Sequence, residues 1–214
     1  MRLWIAPLAL MLIGAAAVPG RPSFPCKGKL SAAEGAICAD PELVAWDRAM
    51  AKVYRLSGKS DTSDPYLAER HSAWLAERNR CGGKRPCLLS TYRKWPGFSA
   101  MVSGVGLSHH RQGTDPAEPA DLEVMHIYGN WYYFSVDALF IRDAANGNVN
   151  TGSIAGVFAL SGGKARFDEE PGQPYVCRFT IEQNGPRFWT IDQSDAGSQC
   201  GGVGVYLSGE YRAS

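Results

Sequence analysis

The stretch CADPELVAWDRAMAKVYR (Cys38–Arg55), followed by AWLAERNRC (Ala73–Cys81) and CGGKRPC (Cys81–Cys87), decides how this chain folds. Asp40-Pro41 opens a helix. The Asp carboxylate takes the first free amides, and Pro at the first helical position forfeits no hydrogen bond. Leu43, Trp46, Met50, Val53 and Tyr54 then recur at helical spacing as one apolar stripe, which ends at Gly58 and the polar run Lys59–Ser63. Asp64-Pro65 repeats the device and opens a helix with Leu67, His71, Trp74 and Leu75 on one face. That helix stops at Cys81-Gly82-Gly83. Upstream, Ser31-Ala32-Ala33-Glu34 has capping-box spacing. Downstream, a short helix runs from Cys87 through Tyr92 and is stopped by Pro96. These elements predict a disulfide-stapled helical hairpin with a third arm over residues 22–95, too small to be stable without its cystines.

Toward the N-terminus the chain changes character. Arg2 precedes an apolar run, Leu3–Ile13, and the small residues Ala15-Ala16-Ala17. That is the order of a secretory signal peptide, residues 1–17, cut after Ala17. The run is short for a bilayer span, so the mature protein is expected in the periplasm or secreted, with no membrane span. Export governs the six cysteines, at positions 26, 38, 81, 87, 177 and 200. In an oxidising compartment they read as three disulfides. The sequence-local pairs Cys26–Cys38, Cys81–Cys87 and Cys177–Cys200 are favoured. The rival is Cys26–Cys87 with Cys38–Cys81, because an antiparallel helix pair would also bring those positions close. The absence of any C-x-x-C argues against zinc, and no cofactor is expected.

Residues 96–120 are rich in Gly, Ser and Pro around His109-His110, and they read as a linker or a loosely packed loop. From Asp121 the period becomes two. Tyr175, Cys177, Phe179 and Ile181 alternate with polar neighbours, as do Val203, Val205, Leu207 and Tyr211. Two-residue turn signals stand at Gly129-Asn130, Gly162-Gly163 and Asn184-Gly185. About seven antiparallel strands are predicted, near Leu122–Tyr128, Trp131–Ile141, Ser153–Leu160, Lys164–Asp168, Tyr175–Gln183, Pro186–Gln193 and Val203–Arg212. They would make a small β-sandwich or barrel over residues 121–214. The expected class is therefore α+β, with the helical hairpin first and the β module second.

The formal charge of +1 conceals a split. Residues 21–94 carry 14 Lys and Arg against 8 Asp and Glu, and residues 121–212 carry 6 against 11. Neither half is basic enough for nucleic acid. The asymmetry suits docking of the halves on each other, or steering of a charged partner.

Taken together, AICADPELVAWDRAMAKVYR (Ala36–Arg55), AWLAERNRC (Ala73–Cys81) and CLLSTYRKW (Cys87–Trp95) resemble the N-terminal domain of the LprI-type lysozyme inhibitor family. The shared features are a Cys before and a Cys inside the first helix, the CADPEL helix start, a helical Asp and Tyr, W-x-x-x-R-x-x-C and C-L-x-x-x-Y. The match covers about a third of the chain. This chain departs from the pattern at His71, where Gln is expected, and at Trp95-Pro96, which cuts short a helix that commonly continues through an Arg. The closing Cys-Gly-Gly-x-Gly-Val looks like the tail of other proteins with this helical domain. The resemblance implies inhibition of lysozyme in a bacterial envelope.

The loop Gly82–Pro86 is the leading candidate for contact with a partner. A cystine across it would hold a preformed protrusion, so little ordering entropy is lost on docking. Lysozyme's cleft holds two carboxylates; Lys84 and Arg85 are the residues expected to reach them, with Arg78 and Arg80 adding field. The plainer reading is a helix connector whose cations face water. Asp168-Glu169-Glu170, and Asp192 with Asp195, are acidic clusters that suit a cationic partner or simply solubility. At helical spacing Trp46, Trp74 and Tyr54 read as core rather than as a glycan platform, and Trp131, Tyr132, Tyr133, Phe188 and Trp189 raise the same question in the sheet. His109-His110 lacks further metal ligands, and His71 reads as a buried, hydrogen-bonded core residue. With no G-x-S-x-G, no H-E-x-x-H and no free Cys, no enzyme activity is expected. The expected function is binding, with a lysozyme-type glycoside hydrolase as the protein partner. The alternative is an envelope assembly module that binds peptidoglycan or another periplasmic protein.

Overall fold

The computed structural model describes residues 20–60, 65–94, 104–112, 116–169, 173, 176–194 and 198–213, the side chains of residues 59 and 60 excepted. The signal-peptide reading of residues 1–17 falls outside them, as do Asp64, Trp95, Pro96, Glu170, Tyr175 and Asp195.

Four helices come first: α1 (Ala32–Ala39), α2 (Pro41–Ser60), α3 (Leu67–Arg80) and α4 (Arg85–Arg93). The capping box opens α1: the Glu34 amide donates to Ser31 Oγ at 3.2 Å and the Ser31 amide to Glu34 Oε2 at 2.8 Å. Asp40 serves two helices. Its amide donates to the Ile37 carbonyl at the end of α1, and its Oδ1 accepts from the amides of Glu42 and Leu43 at the start of α2. The next helix begins less neatly, at Tyr66, with no side-chain cap. Ile37, Leu43, Trp46, Met50, Val53, Leu67, Trp74, Leu88 and Tyr92 are buried together between the helices.

Eight antiparallel strands follow: β1 (Leu107–Arg111), β2 (Ala120–Tyr128), β3 (Trp131–Asp143), β4 (Asn148–Ala159), β5 (Lys164–Asp168), β6 (Arg178–Gly185), β7 (Phe188–Asp192) and β8 (Gly209–Arg212). They form one sheet in the order β4-β3-β2-β1-β8-β7-β6-β5. Its two ends meet where Phe167 of β5 lies against Gly156 of β4, so the sheet curls into a nearly closed barrel rather than a sandwich. Aromatic rings fill the interior. Phe134 sits among Phe158, Phe167 and Phe179, with centroids 4.8–5.8 Å apart. The opposite faces of β2, β3 and β4 supply Ile127 and Tyr133, with Met125, Trp131, Ala155 and Val157, to the helical core. The helices therefore cover one outer wall of the barrel. Strands buried on both faces lose the clean alternation of a half-solvated sheet, hence the nearly continuous apolar run of β3.

The linker expected over residues 96–120 is corrected by what is described of it. Leu107–Arg111 is a strand in the middle of the sheet, pairing with β2 on one side and β8 on the other. The segment that leads into it is clamped. Glu123 accepts the amides of Gly104, Val105 and Gly106 at 2.7–3.1 Å, and Lys52 Nζ donates to the Val105 carbonyl. Val105 is buried in the helical core. A Cβ on Gly106 would stand 2.0 Å from the Val124 carbonyl oxygen, so only glycine fits there. On the far side Arg111 donates to the carbonyls of Glu118 and Tyr206. A carboxylate with three amides and a buried apolar anchor leaves residues 104–106 no slack.

The last predicted strand, Val203–Arg212, is likewise corrected: only Gly209–Arg212 pairs as a strand. The preceding Cys200–Gly204 instead lies across the exposed edge of β4. The Gly202 amide donates to the Thr151 carbonyl at 3.0 Å, and Asn150 Nδ2 donates to the Val203 carbonyl at 2.5 Å. A Cβ at Gly152 would stand 2.6 Å from the Cys200 carbonyl oxygen. This strap covers a sheet edge that would otherwise offer unpaired backbone groups.

Candidate functional site

The cysteines pair as Cys26–Cys38, Cys81–Cys87 and Cys177–Cys200, with no free cysteine. Three cystines fit an oxidising, extracytoplasmic compartment. Among the described residues no helix is long and apolar enough to cross a membrane.

Each motif of the helical head sends one residue to the same buried point. Asp47 lies next to Trp46 on α2, Arg78 one turn beyond Trp74 on α3, and Tyr92 on the inner face of α4. Asp47 Oδ1 accepts from Arg78 Nη1 at 3.3 Å and from Tyr92 Oη at 3.1 Å, and Asp47 Oδ2 accepts the Ser23 amide at 2.6 Å. Asp47 and Arg78 are both almost wholly buried. Burial, and then the neighbouring Asp47 carboxylate, push the Tyr92 phenol well above its ordinary range, so it stays a proton donor. Arg78 also lies over the Phe24 and Trp74 rings. This cluster is structural: a buried ion pair whose groups are hydrogen-bonded ties three helices and the N-terminal arm together. Arg78 is thus removed from the role expected for it beside the loop.

The loop itself projects from the head. Gly83 through Cys87 are exposed, and the cystine Cys81–Cys87 closes their base. Its two cations differ. Arg85 Nε donates to Asp40 Oδ2 at 2.5 Å and its Nη2 to Glu42 Oε2 at 2.6 Å, while Arg93 Nη2 donates to Glu42 Oε1 at 3.1 Å. Arg85 is therefore a brace between α4 and the start of α2, and half of its side chain remains exposed. Lys84 precedes α4 and is exposed; its backbone bonds Cys81 and Leu88, but its ammonium has no hydrogen bond or ion pair among the described residues. The free cation at the tip is Lys84.

Most of the remaining candidates among the described residues have partners, whereas Arg80, at the end of α3, is exposed. Asp168 accepts from Arg178 Nε at 3.1 Å, Glu169 accepts the Cys177 amide at 3.2 Å, and Asp192 accepts the Ser194 amide at 3.0 Å. Trp46 and Trp74 are core residues. Tyr54 stacks on His71 with centroids 3.7 Å apart, so His71 is half-buried at a cleft wall rather than in the core. Trp131 is held between Trp46 and the guanidinium of Arg93, while Phe188 lies under Arg212. His109 is buried within the barrel wall; burial pushes its pKa down. Its neighbour His110 points outward to Asp121, Nδ1 to Oδ1 2.5 Å.

No family model and no curated protein matches the chain. Its site is read from its own geometry.

One feature is absent from any motif: a cleft of about 880 Å³ bounded by residues 21–24, α2, α3 and β2. Arg21, Arg48, Lys52, Arg55 and His126 reach it, while Met50, Leu75 and Ile127 supply an apolar wall. A helix face with Arg48, Lys52 and Arg55 at i, i+4 and i+7 is the one sequence signal for it, and such a row usually marks a solvated face.

Proposed function

We propose that this chain is an exported, non-catalytic binding protein that blocks a lysozyme-type muramidase by occluding its cleft. The observation that supports the reading is the Cys81–Cys87 knuckle, exposed at residues 83–87 and braced at its base by a cystine and by Arg85 on Asp40 and Glu42. A protrusion held from two sides presents its tip with little further ordering cost. Lys84 is the contact residue on this reading, offered to the paired carboxylates of the enzyme. Arg85 sets its position and adds field. The LprI-type resemblance of residues 26–95 supports the choice of a lysozyme-type enzyme as the target class.

A turbidity assay of lysozyme-driven lysis tests the proposal. Lysis should slow as the purified protein is added, and Lys84→Ala with Arg85→Ala should weaken inhibition by more than about 1 kcal/mol, the ordinary worth of a rim charge. Full-speed lysis with the protein in excess sinks it. The second reading, an envelope assembly module, draws on the separate cationic cleft beside α2. Retention on insoluble peptidoglycan, with lysis unaffected, would favour it.

A further inference from the structure

We infer that the cleft between α2, α3 and β2 is a second binding site, built for an acidic, extended peptide of a partner protein. Its lining holds five permanent cations, Arg21, Arg48, Lys52, Arg55 and Arg78, against two carboxylates, Glu34 and Asp47. Both carboxylates are already satisfied. Asp47 takes Arg78, Tyr92 and the Ser23 amide, and Glu34 closes the capping box of α1. No carboxylate among the described residues pairs with Arg21, Arg48 or Arg55, and Arg48 and Arg55 are exposed. Lys52 spends one donor on the Val105 carbonyl, which fixes its ammonium in the row. A folded protein that leaves cations clustered in a concavity without counter-charges concentrates anions there.

Spacing separates a peptide from a single small anion. Arg48 and Arg55 lie seven residues apart on α2, so about 10 Å of helix axis separates them at 1.5 Å per residue. A peptide in the extended polyproline II conformation, with three residues per turn and about 3.1 Å per residue, covers nearly that distance in three residues and keeps i and i+3 on one side, which would bring carboxylates at those positions to the two guanidinium groups. The cleft also has an apolar wall at Leu75 and Met125, both partly buried, with the buried Met50 behind them. An inorganic anion leaves that wall unused, whereas an acidic peptide with one or two apolar side chains covers it. The volume of about 880 Å³ suits such a segment. The site lies apart from Lys84, so it does not depend on the muramidase reading.

The test is fluorescence anisotropy with a labelled decapeptide of Asp and Glu interrupted by Leu and Phe, titrated with the full chain. Binding is expected to weaken at least about tenfold in Arg48→Gln/Arg55→Gln, the loss of two charge contacts, and to weaken again between low and high salt. Lys84→Ala should bind the peptide like the parent protein while inhibiting lysis less, which separates the two sites. Both arginines are exposed, so circular dichroism should show the double variant folded. Equal affinity in the double variant overturns the inference. So does equal binding of the matched Asn/Gln peptide, or tighter binding of a soluble muropeptide than of the acidic peptide.

Discussion

Two loops of this protein begin with the same three letters, Cys-Gly-Gly, and have opposite fates. At Cys81-Gly82-Gly83 a Cβ added to Gly82 would meet nothing within 4 Å, and one on Gly83 would come no nearer than 3.7 Å to any atom. At Cys200-Gly201-Gly202 the backbone is pressed onto β4. A Cβ on Gly201 would stand 2.6 Å from the Gly152 Cα, and one on Gly204 2.5 Å from the Phe140 ring. In the first loop glycine permits a turn, Gly82 having φ +56°, and the nearby Lys84 is left exposed. In the second it permits contact, and the loop is spent on closing the barrel. A glycine-rich cystine loop thus carries no functional meaning until its surroundings are known.

The contrast can be broken most directly at the cystines. Cys177–Cys200 closes 23 residues and Cys81–Cys87 only 6. Loop-closure entropy therefore puts about 3.4 kcal/mol on the barrel cystine and about 2.2 kcal/mol on that of the head. Urea unfolding of the two Cys→Ala pairs should show the barrel pair losing more. A reversed order would mean that the strap is not what secures the barrel. Next is Gly152→Val, which forces branched carbons into the Cys200 carbonyl and should lower stability by about 2–3 kcal/mol, read from the denaturation midpoint.

A smaller effect follows acid. Burial pushes the Asp40 carboxyl up, but the hydrogen bonds from Arg85 and from the Leu43 and Glu42 amides outweigh it and hold the pKa below its ordinary value. The stability it contributes is complete above about pH 4, the unfolded value, and is lost as pH falls through the folded one. Protection factors of the Lys84 and Leu88 amides, which remove the intrinsic slowing of exchange with falling pH, should be steady from neutral pH to about pH 5 and then drop at lower pH. Asp40→Asn should remove that step. The smallest change belongs to Gly83→Ala, whose Cβ meets only an ordinary contact, 3.7 Å from the Ala32 carbonyl oxygen, and should stay within about 0.5 kcal/mol.

Much of the head was legible because its signals are local. The Ser31–Glu34 box and the Asp40-Pro41 start sit where the caps form. The turns at Gly129-Asn130 and Gly162-Gly163 were readable for the same reason, since Gly129, Gly162 and Gly163 have the positive φ that such turns demand. What was hidden depends on distant partners. Strand β1 reads Leu-Ser-His-His-Arg; its inward residue is a histidine, so alternation gave no apolar signal until the burial of His109 was seen. The alternation of Val203, Val205 and Leu207 had the reverse effect. Val205 and Leu207 do point into the barrel, yet Val203 is 81% exposed and the backbone forms a strap. At the knuckle, spacing located both cations, but only the fold decides that Arg85 is paired and Lys84 is not.

The placement of β1 between β2 and β8 carries a consequence for assembly. Arg111 pairs with Tyr211, across nearly half the polypeptide, and the ladder holding them is only two residue pairs long. Until those final residues arrive, the β half is an unsealed ribbon, whereas the helical head needs nothing beyond the junction and the first strands it rests on. A product lacking Gly209–Arg212 would keep its knuckle yet bare the flanks of β1 and β7, a template for sticking to its own copies.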